Sequence, residues 1–438
     1  MSYLGLLLTS FSYLALLFGI AYRADLYKAR GRSWINNANV YSLSLAVYCT
    51  AWTFYGSVGL AAKGGVMFLP IYLGPTLLAL LWSGVLRKMI RIAKRYAITS
   101  LADFLSVRYG NSTFLGGWVT VIAFVGIIPY ISLQIKAIGF GFDLIAQSSG
   151  NSADTSSDST TFFITLALVA FTILFGVRHL DATERHEGMV AAIAFESIVK
   201  LLAFVVCGVV VVYGGFGGLG ALFKEAVQKP ELAQSWSFTS PGVYEDWFFL
   251  NLLAMLAILL LPRQFQVAVV ENVNEDHVNR ASWLFPLYLL VINLFVLPLA
   301  LAGRLLFPEG NVDADTFVLT LPLLLGNDLL AWFVFIGGFS AATGMIVVET
   351  VALSNMLCNS LIMPILIRLP FVNLKEGRGL NSVLLFIRRG SVALVLLASY
   401  AYYQLVGSAY SLVSIGLISF LAVAQFAPSI IGGLYWSQ

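Results

Sequence analysis

The chain contains eleven apolar stretches of the length that a bilayer crossing requires. A membrane-spanning helix needs about 20 predominantly apolar residues. Hydrophobic residues make up 59% of the 438 residues and charged residues only 11%, whereas soluble domains carry about 25% charged residues. The pattern predicts an all-α integral membrane protein, with spans near 4–21, 40–62, 67–86, 113–146, 161–178, 188–213, 246–262, 281–306, 326–360, 391–406 and 410–436.

The basic residues predict the orientation of these spans. Lys and Arg concentrate in the cytoplasmic loops of membrane proteins. If the N-terminus faces outward, most of the 25 basic residues fall in inner loops, including the cluster from Arg87 to Arg95. We therefore expect an outer N-terminus and a cytoplasmic C-terminus. The net charge of +3 gives no indication of nucleic-acid binding.

The second span differs from an ordinary membrane helix. It combines several hydroxyl residues with Gly56 and Gly59 and with the aromatic side chains Tyr48, Trp52, Phe54 and Tyr55. In hydrocarbon, backbone groups that leave a helix need new partners, so broken helices persist only where they line a protein cavity. The span therefore predicts a solute site at mid-membrane depth. The alternative is a kinked, packed helix whose Ser and Thr side chains bond to their own backbone.

Hydropathy divides the chain into two halves. When the first helix and its inner loop (1–30) are set aside, five spans remain within 40–213 and five within 246–436. Secondary transporters are often built from such inverted repeats, with broken helices at matching positions. Pro262 interrupts or terminates span seven, the counterpart of span two, because proline removes a helical hydrogen bond. We predict one transmembrane domain over 1–438.

Five stretches of the chain, taken in order, resemble the sodium/solute symporters. They are GRSWINNANVYSLSLAVYCTAWTFYGSVG from residue 31, AITSLADFLSVRYG from 97, AIAFESIVKLLAF from 192, PRQFQVAVVEN from 262 and FAPSIIGGLYW from 426. The resemblance implies a LeuT-like fold, a 5+5 inverted repeat that is here preceded by one extra helix. PRQFQVAVVEN looks most like the symporter-like membrane half of bacterial sensor histidine kinases, some of which are associated with histidine uptake and with carbon and nitrogen control.

This narrower likeness implies a bacterial plasma-membrane protein that works with cytoplasmic signalling domains. Kinase domains beyond residue 438, and a response regulator as their partner, are the expectation. No kinase motif occurs within the 438 residues, so this segment is expected to be non-catalytic and to need no organic cofactor.

The resemblance also implies roles for residues of span two. Backbone carbonyls near Ala46, Val47, Cys49 and Thr50 would face a coupling cation. Exposed helix ends carry partial charges of about half a unit, which suits a zwitterion such as an amino acid. The side chains expected to approach the solute are Thr50, Ala51, Trp52, Thr53, Tyr55 and Ser57 of span two and Asn251 of span seven.

The coupling ion remains open between sodium and a proton. The family's sodium site takes two adjacent hydroxyl side chains from span nine, whereas here Ser340 and Thr343 are three residues apart. These two residues still share a helix face and can contribute to a weakened sodium site. Close packing of small residues between helices is the alternative.

Three ionisable residues within spans are further candidates for coupling. Glu196 and Lys200 lie four residues apart in span six and so share a face. Charges inside a membrane usually pair and often mark ion pathways, so the two form either a proton or gating group or a structural ion pair. Glu349 of span nine can replace the missing hydroxyl electrostatically or take up a proton.

Span seven narrows the class of substrate. The stretch from Leu252 to Pro262 carries no polar side chain, whereas sugar-carrying relatives place polar groups there. A buried hydroxyl without a partner is costly, so a sugar is disfavoured and an amino acid is favoured. The likeness to sensor kinases associated with histidine uptake implies L-histidine as a candidate solute.

Three functions remain in view. The combined interpretation is a solute-sensing symporter module of a sensor kinase, with transport driven by protons or sodium. A receptor that only reports solute occupancy, or a stand-alone sodium/solute symporter, is the alternative. An intramembrane hydrolase has no support, since HExxH and GxSxG motifs are missing from the sequence.

Overall fold

The computed structural model describes residues 3–148, 157–176, 186–230, 232, 243–368, 378–407 and 410–436. These residues form helices and connecting turns, and no strand occurs among them. A helix satisfies its backbone hydrogen bonds within its own segment, which is what a lipid environment demands. Among the described residues, the longer helices that can cross a bilayer are Leu4–Ala29, Thr113–Gln147, Glu187–Gly215, His277–Leu306, Asp328–Arg368, Asn381–Val406 and Leu412–Tyr435.

Two further crossings are pairs of helices that bend at a break. Span two consists of Ala38–Tyr48 and Trp52–Phe68 with a bend of 67°, and span seven of Val243–Ala257 and Pro262–Val270 with a bend of 49°. The shorter apolar helices Pro70–Ala79 and Thr160–Leu174 stand where spans three and five are predicted. Each of the eleven predicted spans therefore has a helix, although only seven to nine meet the length of a full crossing within the described residues.

The individual helices have the following bounds. The α-helices are Tyr3–Ala29, Ala38–Leu45, Ser57–Gly64, Pro70–Ala79, Val85–Arg95, Leu101–Arg108, Thr113–Ser148, Ser157–Gly176, Glu187–Val209, Leu219–Val227, Val243–Ala257, Pro262–Phe265, His277–Asn293, Val296–Leu306, Phe317–Leu324, Asp328–Met356, Met363–Arg368, Arg378–Val406, Leu412–Ala424 and Ala427–Tyr435. Short 3-10 turns cover Ala46–Tyr48, Gly65–Phe68 and Ala314–Thr316, and π-helical turns cover Trp52–Gly56, Val210–Gly215, Gln266–Val270 and Leu357–Ile362.

Span seven continues beyond the boundary that the sequence predicts. Pro262 opens a new helix after Leu261, whose backbone is extended with φ −62° and ψ 128°. Proline is well tolerated at the first position of a helix, where its missing N–H has no helical partner. The expected end at 262 is therefore corrected to Val270. As a consequence Arg263, which directly follows the predicted end of span seven, is fully buried inside the bent pair of helices.

Ionic contacts connect the ends of spans six and seven on the side predicted to be cytoplasmic. The His186 backbone N–H donates to Glu271 Oε2, and His186 Nδ1 lies 2.8 Å from Glu271 Oε1. Burial alone would lower the pKa of His186, but the Glu271 carboxylate and its hydrogen bond raise that pKa above its ordinary value of 6.5. Farther out, Arg91 Nε lies 2.6 Å from Glu275 Oε2 in an exposed pair. These contacts join the start of span six and the helix Val85–Arg95 to the residues that follow span seven.

Candidate functional site

The break in span two frees backbone groups that residues of neighbouring spans then satisfy. Cys49 leaves helical geometry with φ −79° and ψ 98°, so nearby carbonyls and amides lose their helical partners. Gln134 of span four accepts from the Ala51 N–H at 3.0 Å and lies 3.3 Å from Thr50 Oγ1 through its amide nitrogen. A buried backbone group without a partner is costly, and Gln134 therefore stabilises the broken conformation.

Lys200 reaches two of the carbonyls that, by the family resemblance, would face a cation. Its Nζ donates to Ala46 O at 2.7 Å and to Cys49 O at 2.6 Å, and the residue is buried. Val47 is buried in the same 3-10 turn, but the ammonium contacts the carbonyls of Ala46 and Cys49 and not that of Val47. The positive charge at the break of span two is thus part of the chain itself.

Glu196 has a separate set of partners in span nine. Thr343 Oγ1 donates to Glu196 Oε1 at 3.1 Å, and Ser340 Oγ donates to the Glu196 carbonyl at 3.2 Å. Gly344 makes room for the carboxylate, since a Cβ there would stand 2.3 Å from Glu196 Oε2. The Glu196 carboxylate and the Lys200 ammonium thus make their hydrogen bonds to different groups.

The Ser340 hydroxyl of span nine also engages the extra first helix. Tyr13 OH donates to Ser340 Oγ at 2.7 Å. Ser340 and Thr343 therefore lie together on one face, as their spacing predicts, but they gather around Glu196. The carbonyls at the break of span two are held by Lys200 instead.

The predicted solute residues at the break pack against aromatic rings. Thr50 Oγ1 lies 3.3 Å from Tyr130 OH of span four. The Trp52 ring meets Tyr130 edge-on at 5.8 Å and Phe420 of span eleven at 4.8 Å between centroids. Gly416 permits this approach, because a Cβ there would lie 2.9 Å from the Trp52 ring.

The remaining predicted solute residues face several different neighbours. Tyr55 packs against Phe140 at 4.9 Å, and the Ser57 hydroxyl bonds to the Tyr72 hydroxyl of span three. Ala51 and Thr53 are buried. The structure does not bring Asn251 to this group, since its amide donates to Trp247 O of its own helix at 2.9 Å and the residue lines a groove with Leu73 and Leu77.

Arg263 is a member of this site that the sequence prediction misses. Its Nη1 donates to Glu349 Oε2 at 2.7 Å, its backbone N–H donates to Glu349 Oε1 at 3.3 Å, and both side chains are fully buried. The guanidinium lies over the Tyr130 ring at 4.4 Å, next to Thr50. The signal that could have revealed Arg263 is the proline before it, which can start the second half of a broken span.

The second half of span seven supplies polar groups that its first half lacks. Gln264 Nε2 donates to Leu45 O at 3.3 Å, and Gln266 Nε2 donates to Glu271 Oε1 at 2.8 Å. The expectation that span seven contributes almost no polar recognition is therefore corrected for the residues after Pro262. The site is formed by both broken spans.

Sequence comparison places this chain beside two bacterial proteins. No protein-family model matches the chain. It is similar to the uncharacterized symporter YhjB of Bacillus subtilis, with 28% identity over 317 residues that cover 70% of this chain and 58% of that protein. It is also similar to the uncharacterized symporter YodF of the same organism, with 23% identity over 403 residues that cover 89% of this chain and 73% of the relative. The matched part of the chain thus spans less than two thirds of YhjB.

Structural comparison confirms the predicted fold class. A Na⁺-coupled sialic acid symporter, solved in a substrate-bound outward-open state, has a TM-score of 0.71 at 13% identity, with 98% of this chain and 86% of that chain covered. This chain is therefore an all-helical, multi-pass membrane protein with the LeuT-like fold. Both bacterial relatives are named as uncharacterized symporters.

Proposed function

We propose that the chain is a proton-coupled symporter of a small amino acid-type solute. The observation that carries this proposal is the Lys200 ammonium, which bonds to Ala46 O at 2.7 Å and to Cys49 O at 2.6 Å. These are the carbonyls at which the family resemblance implies a cation. A lysine can lose its charge by releasing a proton, and a sodium ion cannot.

The ammonium opposes sodium binding at the same carbonyls. Two unit charges about 4 Å apart repel each other by roughly 4 kcal/mol at an effective dielectric of about 20. Hard cations also need several oxygen ligands, and the span-nine hydroxyls are engaged with Glu196. Proton coupling therefore has more support from the local contacts than sodium coupling, although the Na⁺-coupled neighbour keeps sodium as the second candidate.

A change in the charge of Lys200 would alter the break in span two. The protonated side chain donates to both carbonyls and stabilises the bent backbone between Ala46 and Cys49. The neutral amine makes weaker hydrogen bonds than the charged group, so its carbonyl contacts loosen and span two can change its angle. Glu196, one helical turn away on the same face, is the expected acceptor for the proton.

We further propose that this transporter is the sensing module of a histidine kinase and that L-histidine is its first candidate solute. The support is the likeness of the PRQFQVAVVEN stretch to the membrane half of such kinases. This stretch contains Arg263 at the solute-site end and Glu271 at the inner end, where His186 contacts it. It can therefore report solute occupancy to cytoplasmic kinase domains and, through them, to a response regulator. A receptor that does not transport is the alternative.

The test of coupling uses the whole chain in liposomes loaded with a pH-sensitive dye. In sodium-free buffer, adding L-histidine or another of the standard amino acids should acidify the lumen. Lys200→Gln should abolish this proton movement, because glutamine cannot release a proton. The matched control is Lys136→Gln, since Lys136 also donates to two carbonyls, Gly407 O at 2.7 Å and Tyr410 O at 2.8 Å.

Each outcome decides between the candidates. Solute accumulation that follows an imposed sodium gradient without any lumenal acidification would establish sodium coupling and refute the role of Lys200. Solute binding without uptake under either gradient would favour the receptor. Loss of proton movement in both lysine variants would show that the position of Lys200 has no special role.

A further inference from the structure

One edge of the Arg263 guanidinium is buried without a hydrogen-bond partner. Arg263 Nη1 donates a hydrogen bond to Glu349 Oε2 at 2.7 Å. Its Nε and Nη2 have no hydrogen-bond partner among the residues that the structure describes. The donors of a guanidinium are fixed in a planar fork, and Nε and Nη2 point from the edge opposite to Nη1. Arg263 is fully buried, so this edge lies within the bundle.

A second unpaired donor lies around the same aromatic ring. Trp52 Nε1 is also buried and has no partner within the described part of the chain. The Trp52 ring and the Arg263 guanidinium both contact Tyr130, at 5.8 Å and 4.4 Å between the respective centres. Buried donors without partners are rare in proteins because their desolvation is uncompensated. The surroundings of Tyr130 therefore have unused capacity to donate hydrogen bonds to an acceptor.

We propose that the Nε–Nη2 edge of Arg263 binds a carboxylate of the transported solute. A guanidinium edge with two parallel donors matches the two oxygens of a carboxylate. Trp52 would add a third donor or contact the rest of the solute. This inference rests on the symporter proposed above and specifies its substrate class as organic acids, amino acids included.

The charges of the site agree with such a solute. Arg263 and Lys200 are buried cations, and Glu349 and Glu196 are buried anions. Their formal charges cancel when all four are ionised, so an anionic organic acid that enters alone adds an uncompensated charge in a region of low dielectric. Entry of such an anion together with one proton leaves the total unchanged. A zwitterionic amino acid carries its own ammonium, so it leaves the total unchanged without a proton.

The test measures binding, which does not require transport. The whole chain in nanodiscs is screened by thermal shift against the 20 standard amino acids, pyruvate, lactate, succinate, neutral sugars and amines. Each hit that carries a carboxylate is then compared with its carboxamide, as with L-histidine and L-histidinamide. We expect the carboxylate to bind about tenfold to a hundredfold more tightly, the range for hydrogen bonds to charged groups.

The variants keep the proposal testable if a single substitution prevents folding. Arg263→Gln together with Glu349→Gln removes both charges and leaves neutral amides. This double variant should bind the carboxylate and the carboxamide with equal affinity. Arg263→Lys retains the charge but loses the fork, so it should show an intermediate loss.

Several results would overturn the proposal. They are hits confined to neutral or cationic compounds, a carboxamide that binds as tightly as its acid, and an unchanged preference for the acid in the double variant. A panel in which no compound binds would also overturn the proposal. A carboxylate that binds selectively but moves no proton would instead leave this site in place and refute proton coupling, so the two proposals can fail separately.

Discussion

Replacing Glu349 by Gln should destabilise the protein strongly, because it leaves the charge of Arg263 buried and unpaired. Arg263 and Glu349 are both 0% exposed and are joined at 2.7 Å, with a second bond from the Arg263 backbone. Removing one partner of a buried ion pair costs about 3–5 kcal/mol. The neutral double variant Arg263→Gln with Glu349→Gln should recover most of this loss, since replacing both partners of such a pair is often close to neutral.

The measurement is the free energy of unfolding in mixed micelles titrated with SDS. The matched control is Glu275→Gln, because Arg91 and Glu275 form a pair of similar length, 2.6 Å, in which the Arg91 side chain is 64% exposed. Exposed pairs contribute about 0–1 kcal/mol, so the control should unfold almost as the wild type does. If Glu349→Gln is no more harmful than this control, or if the double variant is less stable than Glu349→Gln alone, the pair does not stabilise the break of span seven.

Two further predictions concern the inner face and the packing of the repeats. Glu271 raises the pKa of His186 above its ordinary value of 6.5, so the stabilisation by this pair is complete below about pH 6.5 and is lost as the pH rises through the folded-state pKa. Titrating the unfolding free energy should therefore show a difference between wild type and His186→Asn that shrinks toward alkaline pH, and a constant difference would contradict the assignment. Gly126→Ala should cost about 1–3 kcal/mol, because its Cβ would stand 2.5 Å from the Ala422 Cβ. Adding Ala422→Gly should restore stability in the same unfolding assay, and Gly19→Ala, where no atom lies within 4 Å, is the neutral control.

The features that depend on local sequence could be predicted well. A helix in lipid needs only a sufficient apolar run, so every predicted span has a helix in the structure. The polar and glycine-containing sequence of span two was enough to predict its break, which appears as a bend of 67°. In contrast, Arg263 is charged and follows a proline, so its local sequence looks like that of a loop residue. Its burial depends on Glu349, a partner 86 residues away, and local sequence contains no sign of that pairing.

Two separate sequence observations, the spacing of the span-nine hydroxyls and the charge of Lys200 within a span, are related in the structure. The sequence indicates that span nine lacks adjacent hydroxyls and that Lys200 is a charge within a span, but it does not relate the two. In the structure, the Lys200 ammonium supplies positive charge to Ala46 O and Cys49 O, so these carbonyls do not require hydroxyls from span nine to complete an ion shell. Ser340 and Thr343 are thereby available to bond to Glu196. In the proposed function, the Lys200 ammonium takes the position that the family resemblance gives to a coupling ion, and the gain or loss of one proton switches the charge at that position.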